Sequence, residues 1–265
     1  MPTSPWPIRL AWLCALLGLL LALLLFAPAR WLALGLDRAS QGQLQLVNTR
    51  GTVWDGQADL LLTGGAGSRT ETALPQGLRW RLRPAWAQGQ PAVQLQLNAP
   101  CCTPAPLAVT AWPGLRGGRV ELAPFQSQWP TGLLVGLGTP WNTLRLEGQL
   151  GLQSPGLALR WQVGRTELQG ALVIEAADMA SRLSTLRPLG SYRLELQAPA
   201  GADSTTVALQ TLRGELQLQG HGQWVGGRLR FRGEAQATPG HEAALANLLN
   251  IIGRRQGERS LLNIG

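Results

Sequence analysis

From residue 43 onward, apolar and polar residues alternate along much of the chain. In the clearest example, Leu78, Trp80 and Leu82 alternate with arginines. A period of two places alternate side chains on opposite faces of a β-strand. The pattern predicts strands over residues 43–46, 77–83, 93–97, 119–122, 143–152, 157–163, 166–174, 192–197, 207–212, 215–219 and 228–236.

Each predicted strand has one apolar and one polar face, and short connections separate the strands. Gly226 and Gly227, for example, lie between two such strands and tolerate the positive φ angles of a hairpin turn. This pattern is typical of an antiparallel sheet that buries one face. The sequence therefore predicts a mainly β fold, an extended and twisted antiparallel sheet with few short helices. So many strands must curl or be covered.

Two short helices are predicted within this β-rich region. Residues 178–186 can form one that stops before Pro188. A better candidate begins near Gly240 and ends at a Gly253 cap. Its apolar residues follow the spacing i, i+3, i+4 and i+7 of an amphipathic helix, and they are Leu245, Leu248, Leu249 and Ile252. This C-terminal helix is expected to cover one end or face of the sheet.

The N-terminal region has a different pattern, an apolar stretch without charge over residues 10–29. At about 1.5 Å per residue, a helix of this length spans about 30 Å, the thickness of a bilayer's hydrocarbon core. A single transmembrane helix is therefore predicted. The alternative is a cleaved signal peptide, because Ala27, Pro28 and Ala29 resemble a small-residue cleavage site. The apolar run is longer than in most signal peptides, which favours a retained anchor.

These patterns divide the chain into four parts. A short tail (1–9) precedes the transmembrane helix (10–29), and a juxtamembrane segment (30–42) leads into a β-rich domain (43–265). The shortness of the tail favours a cytoplasmic N terminus. Residues 138–140 are a candidate internal boundary, because they separate a proline-rich half from a half of regular strands.

Charge adds little to this interpretation. The formal net charge is +8 and every basic residue is an arginine, but the arginines are scattered along the chain. Nucleic-acid binding is not predicted, since it requires a basic stripe or patch. Only 14% of the residues are charged, so the polar faces of the sheet depend on glutamine, threonine and serine.

No pattern of catalytic or metal-binding residues is present. Cys14 lies in the apolar segment, and Cys101 and Cys102 are adjacent, so no spacing suits a structural zinc. The adjacent pair allows a vicinal disulfide or two thiols, and the usual geometry of disulfides favours the thiols. His221 and His241 have no neighbouring nucleophile pattern. A non-enzymatic protein without cofactor or metal is therefore predicted.

One motif stands between the apolar segment and the later strands. It consists of Gly51, Thr52, Val53, Trp54, Asp55 and Gly56. The favoured hypothesis is structural: the glycines permit a tight connection and Trp54 packs in the core. The alternative makes Trp54 and Asp55 an exposed docking point for another protein.

With four further segments, this motif resembles the type II secretion system protein N family. The segments are 186–192, 218–224, 231–235 and 244–255, in the expected order along the chain. The stretch around Cys101 and Cys102 has no counterpart in that pattern. Residues of these segments that are candidates for interaction are Trp224, Phe231, Leu248, Leu249 and Ile252.

The resemblance implies a non-catalytic accessory or structural protein of the Gram-negative inner membrane, with its bulk in the periplasm. Such a protein supports export of folded proteins across the outer membrane and contacts other inner-membrane or periplasmic secretion components. The family is also distantly similar to AsmA-like envelope proteins, whose twisted sheets can present an apolar groove. The alternative function is therefore binding or transfer of lipid by the apolar face of the sheet.

Overall fold

The structure is a computed structural model that describes residues 6–65, 70–114, 116–201, 204–225 and 228–265. The described helices are α1 (Trp6–Leu25), α2 (Ala29–Ala39), a 3-10 helix (Thr131–Leu137), α3 (Trp141–Leu144) and α4 (Glu242–Ile252). The described strands are β1 (Leu44–Gly51), β2 (Asp55–Thr63), β3 (Glu71–Ala73), β4 (Leu78–Ala87), β5 (Gln90–Asn98), β6 (Leu107–Gly114), β7 (Gly117–Leu122), β8 (Phe125–Pro130), β9 (Leu146–Gln162), β10 (Arg165–Ser181), β11 (Gly190–Ala198), β12 (Thr205–Gly214), β13 (Leu216–Val225), β14 (Arg228–Ala237), β15 (Arg254–Gln256) and β16 (Arg259–Ile264).

All sixteen of these strands belong to one sheet, whose order almost follows the chain. The main path is β1-β2-β4-β5-β6-β7-β9-β10-β11-β12-β13-β14-β16-β15, with β3 beside β2 and β8 beside β9. Pairs such as β4 with β5 and β9 with β10 are antiparallel. The predicted mainly β fold with a large antiparallel sheet and few helices is confirmed. β13 and β14 also pair as predicted, although Gly226 and Gly227 lie outside the described residues.

The register of the strands collects apolar side chains on one face of the sheet, here called the apolar face. Residues paired directly across successive strands form an apolar row over β4 to β11. The row comprises Leu82, Leu95, Val109, Leu122, Leu157, Gly170 and Ala198. Glutamine, threonine and arginine lie on the opposite, polar face.

Helices cover the two ends of the apolar face. Near its beginning, α2 packs against a cluster that contains Leu46, Ala58 and Trp80. Near its end, α4 packs with the strands around Tyr192 and Leu216. Between them the face is partly open, and Leu159 and Trp161 remain 38% and 39% exposed.

The amphipathic C-terminal helix is confirmed, because α4 buries Leu245, Leu248 and Leu249. The helix predicted over 178–186 is wrong: β10 continues to Ser181, paired with the start of β9. Met179 is buried in the cluster beneath α4 and Ala180 is also buried, and this burial outweighs the local helix preference of the short segment.

The strand prediction also missed or misplaced several elements. The predicted strands 143–152 and 157–163 are parts of the single strand β9, whereas Thr143 lies in α3. Sequence patterns also missed β2, β3, β6, β8, β15 and β16 as well as α2. Residues 138–140 lie between the 3-10 helix and α3, and the sheet continues from β7 to β9 across this point.

The N-terminal segment is not one helix over 10–29. The first helix ends at Leu25, and α2 begins at Ala29, so the predicted juxtamembrane segment 30–42 is largely helical. Proline at position 28 fits the start of a new helix better than the interior of an old one. Among the residues that the structure describes, no helix combines the length and apolar character needed to cross a membrane. The transmembrane prediction therefore gains no support here, and residues 1–5 of the predicted tail lie outside the described residues.

Candidate interaction site at the first hairpin

The motif of residues 51–56 forms the tight turn between β1 and β2. The side-chain oxygen of Thr52 accepts hydrogen bonds from the backbone N–H groups of Trp54 and Asp55, at 3.2 and 3.1 Å. The Thr52 backbone N–H donates to the Asp55 carbonyl at 2.8 Å. A threonine that bonds the following backbone in this way stabilises a turn.

Both glycines of the motif are required by the space around them. Gly51 has a φ of +87°, and a Cβ added there would lie 2.4 Å from the Asp55 carbonyl oxygen. At Gly56 a Cβ would lie 2.5 Å from the ring of Trp80 and 2.8 Å from the Arg50 carbonyl oxygen. Gly51 is therefore needed for its backbone angle and Gly56 for the close approach of the tryptophan.

The buried tryptophan at this turn comes from β4 and not from the motif. Trp80 is 3% exposed, and its ring N–H donates to the Val53 carbonyl at 3.1 Å. Trp54 is only half-buried, and its carbonyl accepts a hydrogen bond from the Leu82 N–H at 2.6 Å. The expectation that Trp54 packs in the core is wrong, because Trp80 reaches the core position from the neighbouring strand.

The same turn fastens the end of the N-terminal segment to the sheet. The Val53 N–H donates to the Ala27 carbonyl at 2.8 Å, and Pro28 forms an isolated antiparallel bridge with Thr52. Ala27 and Ala29 are 6% and 2% exposed, so the connection between α1 and α2 is packed against the fold. The turn thus joins three elements: the helix connection, the first hairpin and β4.

Beside the turn, charged side chains line an open cavity on the polar face. Arg81 forms an ion pair with Asp55 at 2.9 Å, with both side chains more than half exposed. The cavity of about 430 Å³ is also lined by Arg50 and Arg79. Asp55 is thus accessible to a partner, as the docking hypothesis requires, whereas Val53 is tied to the fold through its backbone.

The other predicted interaction residues lie near the opposite end of the strand order. Leu248 and Leu249 are 2% and 0% exposed and belong to the core beneath α4, where Ile252 packs at the edge. Phe231 is 7% exposed, whereas Trp224 is 47% exposed. The structure does not bring them together with residues 51–56. Of these five residues, Trp224 is the most accessible.

Among the described strands, three aromatic residues sit directly across the sheet from a glycine, a feature that the sequence patterns did not predict. The pairs are Gly56 with Trp80, Gly118 with Trp161 and Gly222 with Phe231. A Cβ at Gly118 would lie 2.3 Å from the Trp161 ring. An aromatic ring that lies over a glycine restores packing that the glycine lacks. The sequence signal that could have revealed these pairs is a glycine at an apolar position of the alternating pattern.

Buried hydroxyl groups hold the core beneath α4. Ser260 donates to the Leu249 carbonyl at 2.6 Å, and Ser181 donates to the Leu144 carbonyl at 2.6 Å. The Tyr192 hydroxyl donates to the Leu216 carbonyl at 3.0 Å, and burial raises the pKa of Tyr192. These bonds satisfy carbonyl groups that would otherwise be buried without partners.

Cys101 and Cys102 form a disulfide, which corrects the expectation of two thiols. Their Cα atoms lie 3.7 Å apart, closer than in most disulfides. Because adjacent cysteines cannot reach the usual Cα separation, the sequence favoured two thiols. The turn is closed by two backbone bonds, since the N–H groups of Cys102 and Thr103 both donate to the Ala99 carbonyl at 2.8 Å. The pair borders an open cavity of about 510 Å³ beside β8 and β9.

Within the described ranges, no three histidine, cysteine or acidic side chains are grouped so that they could hold a metal ion. His241 lies 3.6 Å from Glu215 at the start of α4, where an ion pair forms when the imidazole is protonated. The arrangement suits contact and positioning, with an accessible charged site at the first hairpin and an accessible tryptophan, Trp224, near the end of β13.

Comparison with known proteins agrees with the motif and the fold. The model of the family described as type II secretion system (T2SS), protein N matches residues 42–261, which run from just before β1 into β16. Comparisons with curated proteins and with solved structures gave no match. Since the matched region covers most of the chain, the protein belongs to the type II secretion system protein N family.

Proposed function

We propose that this protein is a non-catalytic accessory component of the secretion system, anchored at the inner membrane by α1, with its sheet in the periplasm. Family membership implies contact with other secretion components in general. The anchor is supported by the leucines of α1, several of which are more than half exposed, such as Leu13, Leu16 and Leu20. An apolar helix surface that does not pack against its own protein needs another apolar environment.

The proposed role is positional, and the turn at residues 51–56 carries it. Because Val53 bonds the Ala27 carbonyl directly after α1, the turn fixes where the sheet starts relative to the anchor. Fourteen strands follow one another along the main path, which at about 4.8 Å per strand gives a sheet about 60 Å long. Such a sheet can present its polar face to partners away from the anchor.

Deletion of the chain in its host tests the secretion role. The expected result is accumulation of folded exoprotein in the periplasm and its loss from the medium, with reversal by the intact chain. Unchanged export after deletion would contradict the proposal.

Two complementing variants test the anchor. Leu16→Arg with Leu20→Arg places two charges on the exposed apolar surface of α1, and charged side chains oppose burial of that surface in lipid. We expect this variant to leave the membrane fraction and fail to restore export. The matched variant, Leu16→Ala with Leu20→Ala, keeps α1 uncharged and should restore it. Membrane retention and full export by the arginine variant would argue against an anchoring role for α1.

A second candidate function is lipid binding, favoured by the open middle of the apolar face. Between the parts covered by α2 and α4, the side chains of Leu159 and Trp161 remain exposed beside half-buried Val120 and Leu157. Native mass spectrometry of the full chain tests this function. A phospholipid retained by the intact chain should be lost in Leu159→Arg and kept in Gln94→Arg, which changes the polar face. Absence of stoichiometric lipid from the intact chain would reject this function.

A further inference from the structure

Strand β14 carries a row of arginines on the polar face of the sheet. Arg228, Arg230 and Arg232 occupy alternate positions, so their side chains leave the strand on the same side, and all three are exposed. Alternate residues of a strand lie about 7 Å apart. The next residue on this face, Glu234, pairs with Arg259 at 3.4 Å. Within the described ranges, no acidic side chain is paired with any of the three arginines.

Two of these arginines line an open cavity of about 910 Å³ on the polar face over β12, β13, β14 and β16. His221 and Asn263 lie directly across from Arg232 on the neighbouring strands, and Gln223 lies directly across from Arg230. Imidazole and amide groups add hydrogen-bond donors to the two guanidinium groups. Among the described residues that line the cavity, none has an acidic side chain. The cavity therefore presents positive charge and donors without an opposing carboxylate.

The first half of the sheet has a similar row of arginines with a different charge balance. Arg79, Arg81 and Arg83 occupy alternate positions of β4, on the polar face, and all three are exposed. There Arg81 forms an ion pair with Asp55 at 2.9 Å, and Asp55 also lines the cavity beside that row. A carboxylate within the site repels a second carboxylate. The row on β14 is therefore the better site for an anion.

The spacing of the arginines on β14 indicates a ligand with repeated carboxylates. A peptide in the extended conformation also places alternate side chains about 7 Å apart. Acidic residues at every second position of such a peptide can meet Arg228, Arg230 and Arg232 in turn. Each planar guanidinium group can donate two parallel hydrogen bonds to one carboxylate. A single phosphate or lipid headgroup is too small to reach all three arginines.

We propose that the polar face over β14 binds an extended acidic segment of a partner protein, in which aspartate or glutamate occupies alternate positions. Arginine clusters recognise acidic segments through such charge-assisted hydrogen bonds. A second copy of this chain does not supply the ligand, because its sequence has no two acidic residues separated by one position. The inference rests on the proposed function, since it names the chemistry of a partner for the polar face.

Binding of fluorescent peptides to the full chain in detergent tests the proposal. The probe is a short peptide in which glutamate and threonine alternate. Its control contains the same residues with all the glutamates first, so that the net charge is equal and only the spacing differs. Fluorescence anisotropy measures the Kd of each peptide. We expect the alternating peptide to bind more tightly than its control.

Two double variants locate the binding site. Arg230→Gln with Arg232→Gln should weaken binding of the alternating peptide by about tenfold or more, because charge-assisted hydrogen bonds are lost. The matched variant, Arg79→Gln with Arg83→Gln, removes the same charge from the polar face of β4. It should change the Kd by less than about twofold, because β4 lies far along the sheet from β14 and salt screens charges beyond about 10 Å. Circular dichroism checks that both variants keep the fold.

Equal affinity for the two peptides, equal losses in the two double variants, or no binding of the alternating peptide would overturn the proposal. Displacement of the bound peptide by an equal concentration of glycerol phosphate would also overturn it and assign the cavity to a lipid headgroup. None of these outcomes changes the result of deleting the chain, so the inference and the proposed function can fail separately.

Discussion

Gly56 lies where the ring of Trp80 and two carbonyl oxygens leave no room for a side chain. The glycine is needed there because another strand brings its largest side chain against it, a reason that no local pattern reveals. The hydroxyl of Thr52 and the glycine at position 51 then shape the turn itself. The motif is thus a packing junction as well as a turn.

Gly56→Ala is expected to destabilise the protein by about 1 to 3 kcal/mol, because the added methyl group must displace Trp80 or the backbone. The midpoint of urea unfolding, followed by circular dichroism, measures the change. Gly35→Ala is the control, since its Cβ would meet nothing within 4 Å and alanine favours the helix α2. Equal midpoints for the two variants would contradict the packing role of Gly56.

Three tryptophans of different burial give a graded test of packing: Trp80 and Trp54 at the turn, and Trp86 at the far end of β4. Trp80→Ala should cost about 3 to 5 kcal/mol, because it empties a buried position. Trp54→Ala should cost less, since Trp54 is half-buried, and Trp86→Ala should change stability by no more than about 0.5 kcal/mol. Thermal unfolding of the three variants ranks them. A larger loss for Trp54→Ala than for Trp80→Ala would restore Trp54 as the main anchor.

Tyr192 predicts a dependence on alkaline pH. Its buried hydroxyl has a folded-state pKa raised above the usual value of 10.0. The neutral form is therefore favoured by folding, and its contribution is fully present below pH 10.0 and is lost as the pH rises above that value. Tyr192→Phe removes the bond to the Leu216 carbonyl and should cost about 1 kcal/mol near neutral pH. Its unfolding midpoint should fall less than that of the native chain between about pH 8 and about pH 11. If the unfolding midpoint falls equally with pH in both chains, Tyr192 is excluded as the source of the alkaline loss of stability.

Among the elements, α4 shows how a local pattern can predict a helix and one of its faces. Apolar spacing identified the buried side, and the structure buries Leu245, Leu248 and Leu249 as expected. The pattern could not show that this side is core rather than an interaction surface, because both are apolar. The hydrogen bond from the Ser260 hydroxyl to the Leu249 carbonyl indicates a core position, because it satisfies a carbonyl that water does not reach.

Leu249→Ala is expected to lower the free energy of unfolding by about 2 to 5 kcal/mol, because Leu249 is fully buried. Ile251→Ala, in the same helix but 46% exposed, is the matched control and should cost less than about 1 kcal/mol. Chemical unfolding of both variants compares them. Similar losses would mean that α4 contributes its helical conformation and not its packing to stability.

Strand prediction succeeded where alternation was regular and failed where distant partners decided the conformation. Residues 178–181 can form a helix locally, but β9 pairs with Ala180 and Ser181, and Met179 is buried in the α4 cluster. β16 follows a tight turn at Gly257 and is defined by its pairing with β14. Each of these errors has the same cause, since the energy of a strand depends on its neighbours.

At the scale of the whole molecule, the sheet's main path has two ends, and exposed strand edges invite pairing with other chains. At one end lies β1, whose apolar face is covered by α2. At the other, β15 is only three residues long and contains Arg254 and Arg255, all of them exposed. A short, charged edge discourages pairing between sheets.

Arg254→Val is therefore expected to promote self-association, because it removes a charge from the terminal strand. Arg232→Val is the control, exposed on β14, whose two edges are already paired. Size-exclusion chromatography of the detergent-solubilised chains over a range of concentrations measures the effect. An unchanged elution position for Arg254→Val would show that charge at this edge does not prevent association.

The sequence by itself determined the mainly β architecture, the amphipathic helix at the C-terminal end and the family. These follow from local patterns, because alternation in a strand and spacing in a helix assign each side chain to a face. Only the tertiary structure decided which tryptophan is buried at the turn, that residues 178–181 form a strand, and that Cys101 and Cys102 are joined. All three outcomes depend on distances that the folded backbone sets. The buried tryptophan and the strand at 178–181 also have partners far away in the chain, which a local pattern of apolar residues cannot reveal.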